Sequence, residues 1–124
     1  MTAPLTAAQL KDLAHEALGR RCDDCAVLAC PGWESLPAGF DGRRLRVLGT
    51  LRPGDDEPTW AEHHPQGTRT DSPTAPIAPV FHPYNRSDVV ACAGCGRAFL
   101  RYTEAGGYFS DLRLRELDPA LVVG

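Results

Sequence analysis

Two pairs of cysteines constrain this chain more than any other feature. Cys22-Asp23-Asp24-Cys25 and Cys92-Ala93-Gly94-Cys95 each carry two thiols two residues apart, and 66 residues lie between Cys25 and Cys92. One tight turn across a C-x-x-C spacing presents both sulfurs to one ion, so two such pairs predict a tetrahedral site of four thiolates. Whatever the fold, it must bring the two pairs together. Gly96 follows the second pair and offers the positive φ that a sulfur-presenting turn needs at that position. Ala26 stands at the equivalent place after the first pair, which predicts a turn of another type there, for instance at a helix end.

Four sulfurs suit a single Zn²⁺ per chain, with iron as the competitor. An ion saturated by Cys22, Cys25, Cys92 and Cys95 has no open position for water, so the site is expected to be structural and not catalytic. Five cysteines is an odd number. Residues 1–20 read as a charged amphipathic segment rather than an export signal, which favours metal ligation over a disulfide framework and a cytoplasmic location. Cys30 is expected to be a small buried hydrophobe, the alternatives being a replacement ligand or a reactive thiol. No run of about 18 apolar residues is present, so no membrane span is expected. At 124 residues the chain reads as one domain, of a size at which a metal cross-link still adds usefully to stability.

The clearest local element is a helix over residues 6–19. Thr6 and Gln9 form a capping box, Leu5 is placed to staple against Leu10, and Leu10, Leu13, Ala14, Ala17 and Leu18 trace one apolar stripe. His15 falls at the boundary of that stripe. Gly19-Arg20-Arg21 then stops the helix and delivers Cys22 and Cys25 to the metal. Trp33 is expected to anchor the core or a loop.

From Arg43 to Leu51, strict alternation puts Leu45, Val47, Gly49 and Leu51 on one strand face, with Gly49 marking a bulge or a close backbone approach. Ser87 to Ala91 reads as a short strand entering the second cysteine pair. Residues 88–115 then form the knuckle and a hairpin turned at Gly106-Gly107, with Leu112 and Leu114 expected to join Leu100 and Tyr102 on an inner face. Alternation also predicts that Arg97, Phe99, Arg101, Phe109, Arg113 and Arg115 share the outer face.

Residues 52–87 hold seven of the eleven prolines, and the acidic run Asp55-Asp56-Glu57 lies near their start. Such a stretch cannot sustain a ladder or a long helix. Trp60, Ile77, Val80, Phe81 and Tyr84 are too apolar for an entropic linker, so an ordered irregular excursion pinned by those side chains is expected. Long loops of this kind tend to carry function. The apolar tail from Leu117 to Val123 is expected to dock.

The two cysteine pairs with the strands around them resemble a zinc ribbon, a likeness covering Cys22 to Cys25 and about Asp88 to Arg115. It implies a small α+β domain built on a zinc-ribbon-like antiparallel sheet, here with an N-terminal helix and a long Pro-rich irregular loop. The 66 residues between the pairs are far more than a compact ribbon has. Rubredoxin-like redox proteins also use two such knuckles. Pro83-Tyr84-Asn85-Arg86 and the segment from Arg101 to Tyr108 are similar to small bacterial proteins, a similarity that implies no activity.

The expected function is that of a non-enzymatic, zinc-stabilised binding module with a protein partner. A formal charge of −3, made more negative by a dication on four thiolates, disfavours a generic polyanion binder. Three alternatives stay open. One is nucleic-acid binding through the arginine and phenylalanine face of the hairpin, whose guanidinium groups and rings suit phosphates and unpaired bases. Against it, Phe99 and Phe109 can lie beneath other elements while the arginines pair with Asp111, Glu104 and Glu116. The second is a rubredoxin-like redox protein. The third is a metal-dependent enzyme centred on Glu62, His63, His64 and His82, although no H-E-x-x-H or H-x-E spacing is present.

Overall fold

A computed structural model describes residues 3–54, 57–105, 108 and 110–124. Among them the chain forms an α+β fold with one α-helix, α1 (Ala7–Ala17), and five strands: β1 (Glu34–Ser35), β2 (Leu45–Thr50), β3 (Asp88–Cys92), β4 (Ala98–Ala105) and β5 (Ser110–Glu116). The strands make one antiparallel sheet in the order β1-β5-β4-β3-β2.

Local chemistry sets the ends of α1. The Thr6 hydroxyl accepts from the Gln9 N–H at 3.1 Å, and the Gln9 side chain accepts from the Thr6 N–H at 2.9 Å. Two of the helix's free donors are thereby satisfied reciprocally. Leu5 packs with Leu10 in one core cluster. At the other end Leu18 caps the helix, Gly19 takes φ +80°, and the Arg20 N–H bonds the Ala17 carbonyl at 3.1 Å.

Both faces of the sheet are covered. One carries Leu10 and Ala14 of α1 with Trp33, Leu51, Ile77, Tyr84, Val89, Ala98, Leu100 and Tyr102. Here Trp33 meets Tyr102 edge to face at 4.6 Å, so it anchors the core as expected. The opposite face carries Cys25, Leu28, Cys30, Leu45, Val90, Cys92, Phe99 and Leu114. The cysteine turns lie on this second face, away from α1.

The register of the β4–β5 hairpin corrects the expected grouping of its side chains. Phe99 stands opposite Glu116, Leu100 opposite Arg115, Arg101 opposite Leu114 and Tyr102 opposite Arg113. Directly opposed residues share a face, so Arg113 and Arg115 lie with Leu100 and Tyr102, while Leu112 and Leu114 lie with Phe99 and Arg101. Sliding a register by one residue moves every side chain of a strand to the other face. The ladder runs to Ala105 opposite Ser110. The expected turn residues Gly106 and Gly107, and Phe109, fall outside the described residues.

A bulge alters β2 in the same way. Val47 pairs with Val90 and Gly49 with Val89, so Leu48 is the extra residue. Leu45 therefore faces the cysteine side and Leu51 the helix side, where strict alternation put them together. Gly49 is also a close approach. A Cβ there would lie 2.9 Å from a Leu5 methyl, and the Leu5 N–H bonds the Thr50 carbonyl at 2.9 Å.

The Pro-rich excursion is tied down at several points. Ile77 exchanges backbone hydrogen bonds with the tail at Leu121 (2.8 Å) and Val123 (3.0 Å), so the tail docks on the excursion. Ile77 and Tyr84 are buried. Trp60 and Val80 were expected among the pinning residues, yet they stand 66% and 70% exposed. Polar groups take their place: the Asn85 amide donates to the carbonyls of Thr59 and Val80, and Arg86 donates to the Pro58 carbonyl while stacking 3.6 Å from the Trp60 ring.

Candidate metal centre

Four residues separate the first cysteine turn from the end of α1 at Ala17. Backbone bonds from Cys25 to Cys22 (3.3 Å) and from Leu28 to Cys25 (3.0 Å) wind residues 22–28 into successive turns. Ala26 takes no positive φ there, so the first turn is of another type from the second, as expected, but it lies beyond the end of α1 and not at a helix end. The second turn closes the β3–β4 connection. The Gly96 N–H bonds the Cys92 carbonyl at 2.8 Å, the Cys92 N–H bonds the Arg97 carbonyl at 2.8 Å, and Gly96 has φ +85°. A side chain there would be strained, which is why glycine follows the second pair.

These turns bring four sulfurs to one point from sites 70 positions apart. Cys22 Sγ lies 3.8 Å from Cys25 Sγ and 3.6 Å from Cys92 Sγ, Cys25 Sγ lies 3.6 Å from Cys95 Sγ, and all four fall within 4.8 Å of one another. A tetrahedron with metal–sulfur bonds of about 2.3 Å has edges of about 3.8 Å. A disulfide would need about 2.0 Å. The spacing thus fits one metal ion, and all five cysteines are free thiols. Cys25 and Cys92 are buried, and Cys22 and Cys95 are half-buried.

The electrostatics of the bare cluster are those of sulfurs that cannot all ionise together. Burial raises Cys25, but hydrogen bonding to the Cys22 backbone and to Cys95 outweighs it and brings the thiol down to about 7. Burial and the neighbouring thiols push Cys95 up to about 12. A dication at the centre would reverse that repulsion and make all four sulfurs ligands.

Two arginines strap the turns to each other, and neither role was visible in the sequence. Arg97, just past the second turn, donates to the carbonyls of Cys25 (3.0 Å) and Leu28 (2.9 Å) in the first. Arg20, just before the first turn, donates to the carbonyl of Cys95 (3.3 Å) in the second. Gly94, in the second turn, closely approaches the first: a Cβ there would meet Cys22 Sγ at 3.1 Å and an Asp24 carboxylate oxygen at 3.3 Å. The only hint of Arg97's burial in the sequence is its place at the head of the apolar run Ala98-Phe99-Leu100.

The outer face expected to carry Arg97, Phe99, Arg101, Phe109, Arg113 and Arg115 is not one surface. Arg97, Phe99 and Arg115 are buried, and Arg113 and Arg115 belong to the face opposite Arg97, Phe99 and Arg101. Phe109 lies outside the described residues. Arg97 pairs with Glu116 at 2.9 Å, Arg113 with Asp111 at 3.2 Å and Arg101 with Asp88 at 3.7 Å.

The histidines of the excursion take other partners. His64 bonds Glu62 at 2.8 Å through Nε2 and Thr68 at 2.7 Å through Nδ1, so both ring nitrogens are engaged. His63 stacks on Phe81, and His82 packs against Trp60. Among the described residues the four cysteines are the only group of three or more metal-ligating side chains within reach of a single ion. Cys30 is buried, as expected, and lies outside that group. No helix among the described residues is long and apolar enough to cross a membrane.

Comparison with protein-family models, with curated proteins and with solved structures found no match to this chain.

Proposed function

We propose that this chain is a non-enzymatic binding module held together by one structural Zn²⁺, with another protein as its partner. The observation that carries the metal reading is the set of sulfur separations of 3.6 to 3.8 Å. Cys22, Cys25, Cys92 and Cys95 would hold the ion. When bound it supplies a cross-link between the segment leaving α1 and the β3–β4 connection, with no coordination position left for a reacting group. Support for a protein partner comes from the negative net charge and from Trp60 and Val80, two large apolar side chains left open on an ordered loop. Arg97 and Arg115 are buried and Arg113 lies on the face opposite Arg101, which weighs against the nucleic-acid alternative as a shared hairpin face.

Metal analysis of freshly purified protein tests the first half. The expected result is a colourless protein with one zinc per chain, whereas a red protein containing iron would replace zinc with a redox metal in the same sulfurs. The partner is tested by cross-linking in extract of the native host. The expected result is a defined protein adduct that is lost in Trp60→Ala and Val80→Asp while the fold is retained.

A further inference from the structure

We infer that Arg97 is a positioning residue that sets the metal affinity of the cysteine cluster by holding the first C-x-x-C turn against the second. The inference rests on the metal-binding reading above. Arg97 is covalently joined to the second turn through Gly96, yet its guanidinium spends its donors on the first: Nη1 on the Cys25 carbonyl and Nη2 on the Leu28 carbonyl. Its Nε and Nη2 also bond the two oxygens of Glu116, which fixes the plane of the group to β5. The side chain is 3% exposed and lies over the Phe99 ring at 4.8 Å.

Burying a guanidinium is costly unless its charge and donors are matched. Glu116 matches it only in part, because that carboxylate is one-third open to water. Four thiolates around a dication leave two net negative charges a few bonds away, and these complete the balance. The same contacts fix the backbone from which Cys25 projects, so the sulfurs meet the ion already arranged. Arg20 makes the reciprocal contact to Cys95, but from an exposed position.

Groups that orient metal ligands typically cost about 10- to 100-fold in metal affinity when removed. The test is Co²⁺ binding, followed by thiolate-to-cobalt charge-transfer absorption and by competition with a chromophoric chelator. Arg97→Gln, which keeps an amide donor but not the charge, is expected to weaken binding by about 10- to 100-fold. Arg97→Lys, which keeps the charge but not the fork, is expected to recover part of that loss. Tyr84→Phe, a buried change on the opposite face of the sheet, should bind cobalt like the wild type. Arg97→Gln binding as tightly as wild type, or Tyr84→Phe losing as much as Arg97→Gln, would overturn the role of Arg97 and leave the metal site standing. Should Arg97→Gln not fold, Arg97→Lys decides alone: weaker binding supports the role and wild-type binding refutes it. A wild-type protein without the charge-transfer band would overturn the metal reading itself, and Arg97's role with it.

Discussion

The buried guanidinium of Arg115 donates to the hydroxyl of Tyr84, a residue 31 positions earlier in the chain. Its remaining donors reach the carbonyls of Pro31 (3.2 Å), Pro73 (3.2 Å) and Ala75 (2.7 Å). One side chain of β5 thus holds the segment before Trp33 and two parts of the excursion. Replacing it leaves several buried acceptors unpaired, each costing about 1–3 kcal/mol. Arg115→Met should therefore destabilise the protein by roughly 3 kcal/mol or more, and Tyr84→Phe by about 1–2 kcal/mol. Urea unfolding measures both. An Arg115→Met protein as stable as Tyr84→Phe would show that the excursion docks without this arginine.

The metal cross-link makes a sharper prediction because it separates one cysteine from another. Cys92→Ser removes a ligand whose site contributes on the order of 10 kcal/mol to folding, so the variant should lose its metal and unfold, as should wild type under a strong chelator. Cys30→Ala leaves the four sulfurs in place and should keep one metal per chain, at about 1 kcal/mol of lost packing. Burial pushes the Cys30 thiol up to about 11, so it stays protonated and unreactive at neutral pH. Iodoacetamide with mass spectrometry should find Cys30 unmodified until denaturant is added. Rapid labelling of Cys30 in folded holo protein would contradict this.

What the sequence made legible was local. The capping box, the stop at Gly19 and the two cysteine turns depend on residues three or four apart, and each formed where the spacing put it. The grouping of the hairpin side chains was not legible. It depends on the pairing of Phe99 with Glu116 across the hairpin and on which face each neighbour covers, neither of which the alternation within one strand reveals. The bulge at Leu48 hid the division of β2 between two cores for the same reason. β1 has only Glu34 and Ser35, both exposed, and so carries no apolar alternation to detect. Arg97 and Arg115 went unread as core residues because arginine is normally solvated. Their burial follows from carbonyls supplied by distant segments.

Gly94 offers a test of how closely the two turns approach. Its backbone conformation needs no glycine, so only space forbids a side chain. Gly94→Ala would press a methyl group against Cys22 Sγ and Asp24, whose carboxylate is held 2.6 Å from Arg44. Overpacking of this kind costs about 1–3 kcal/mol, and here it should appear as weaker metal binding. Gly54→Ala has no atom of the described residues within 4 Å of the added carbon and serves as the control. Equal metal affinities in the two variants would show that the turns have room to separate.

The last prediction concerns acid. His82 lies against Trp60 at 5.0 Å and Tyr102 at 6.3 Å, and its buried Nδ1 has no hydrogen-bond partner among the described residues. Burial lowers its pKa first of all, with Arg86 acting in the same direction and Glu62 and Glu104 opposing. An imidazole with a depressed folded-state pKa is neutral in the native protein at a pH where the unfolded chain has begun to bind a proton. Its contribution to stability is therefore complete above the unfolded value of about 6.5 and is lost as pH falls from there towards the folded value. Acid also releases metal from thiolates, so the informative quantity is the difference between wild type and His82→Gln. Wild type should lose stability more steeply below about pH 6.5, by at most about 1.4 kcal/mol per pH unit for one proton. Chemical denaturation at several pH values with saturating zinc gives that difference directly. If it stays constant from about pH 7.5 to pH 5, His82 titrates alike in both states, and its packing against the two rings does not keep the proton off.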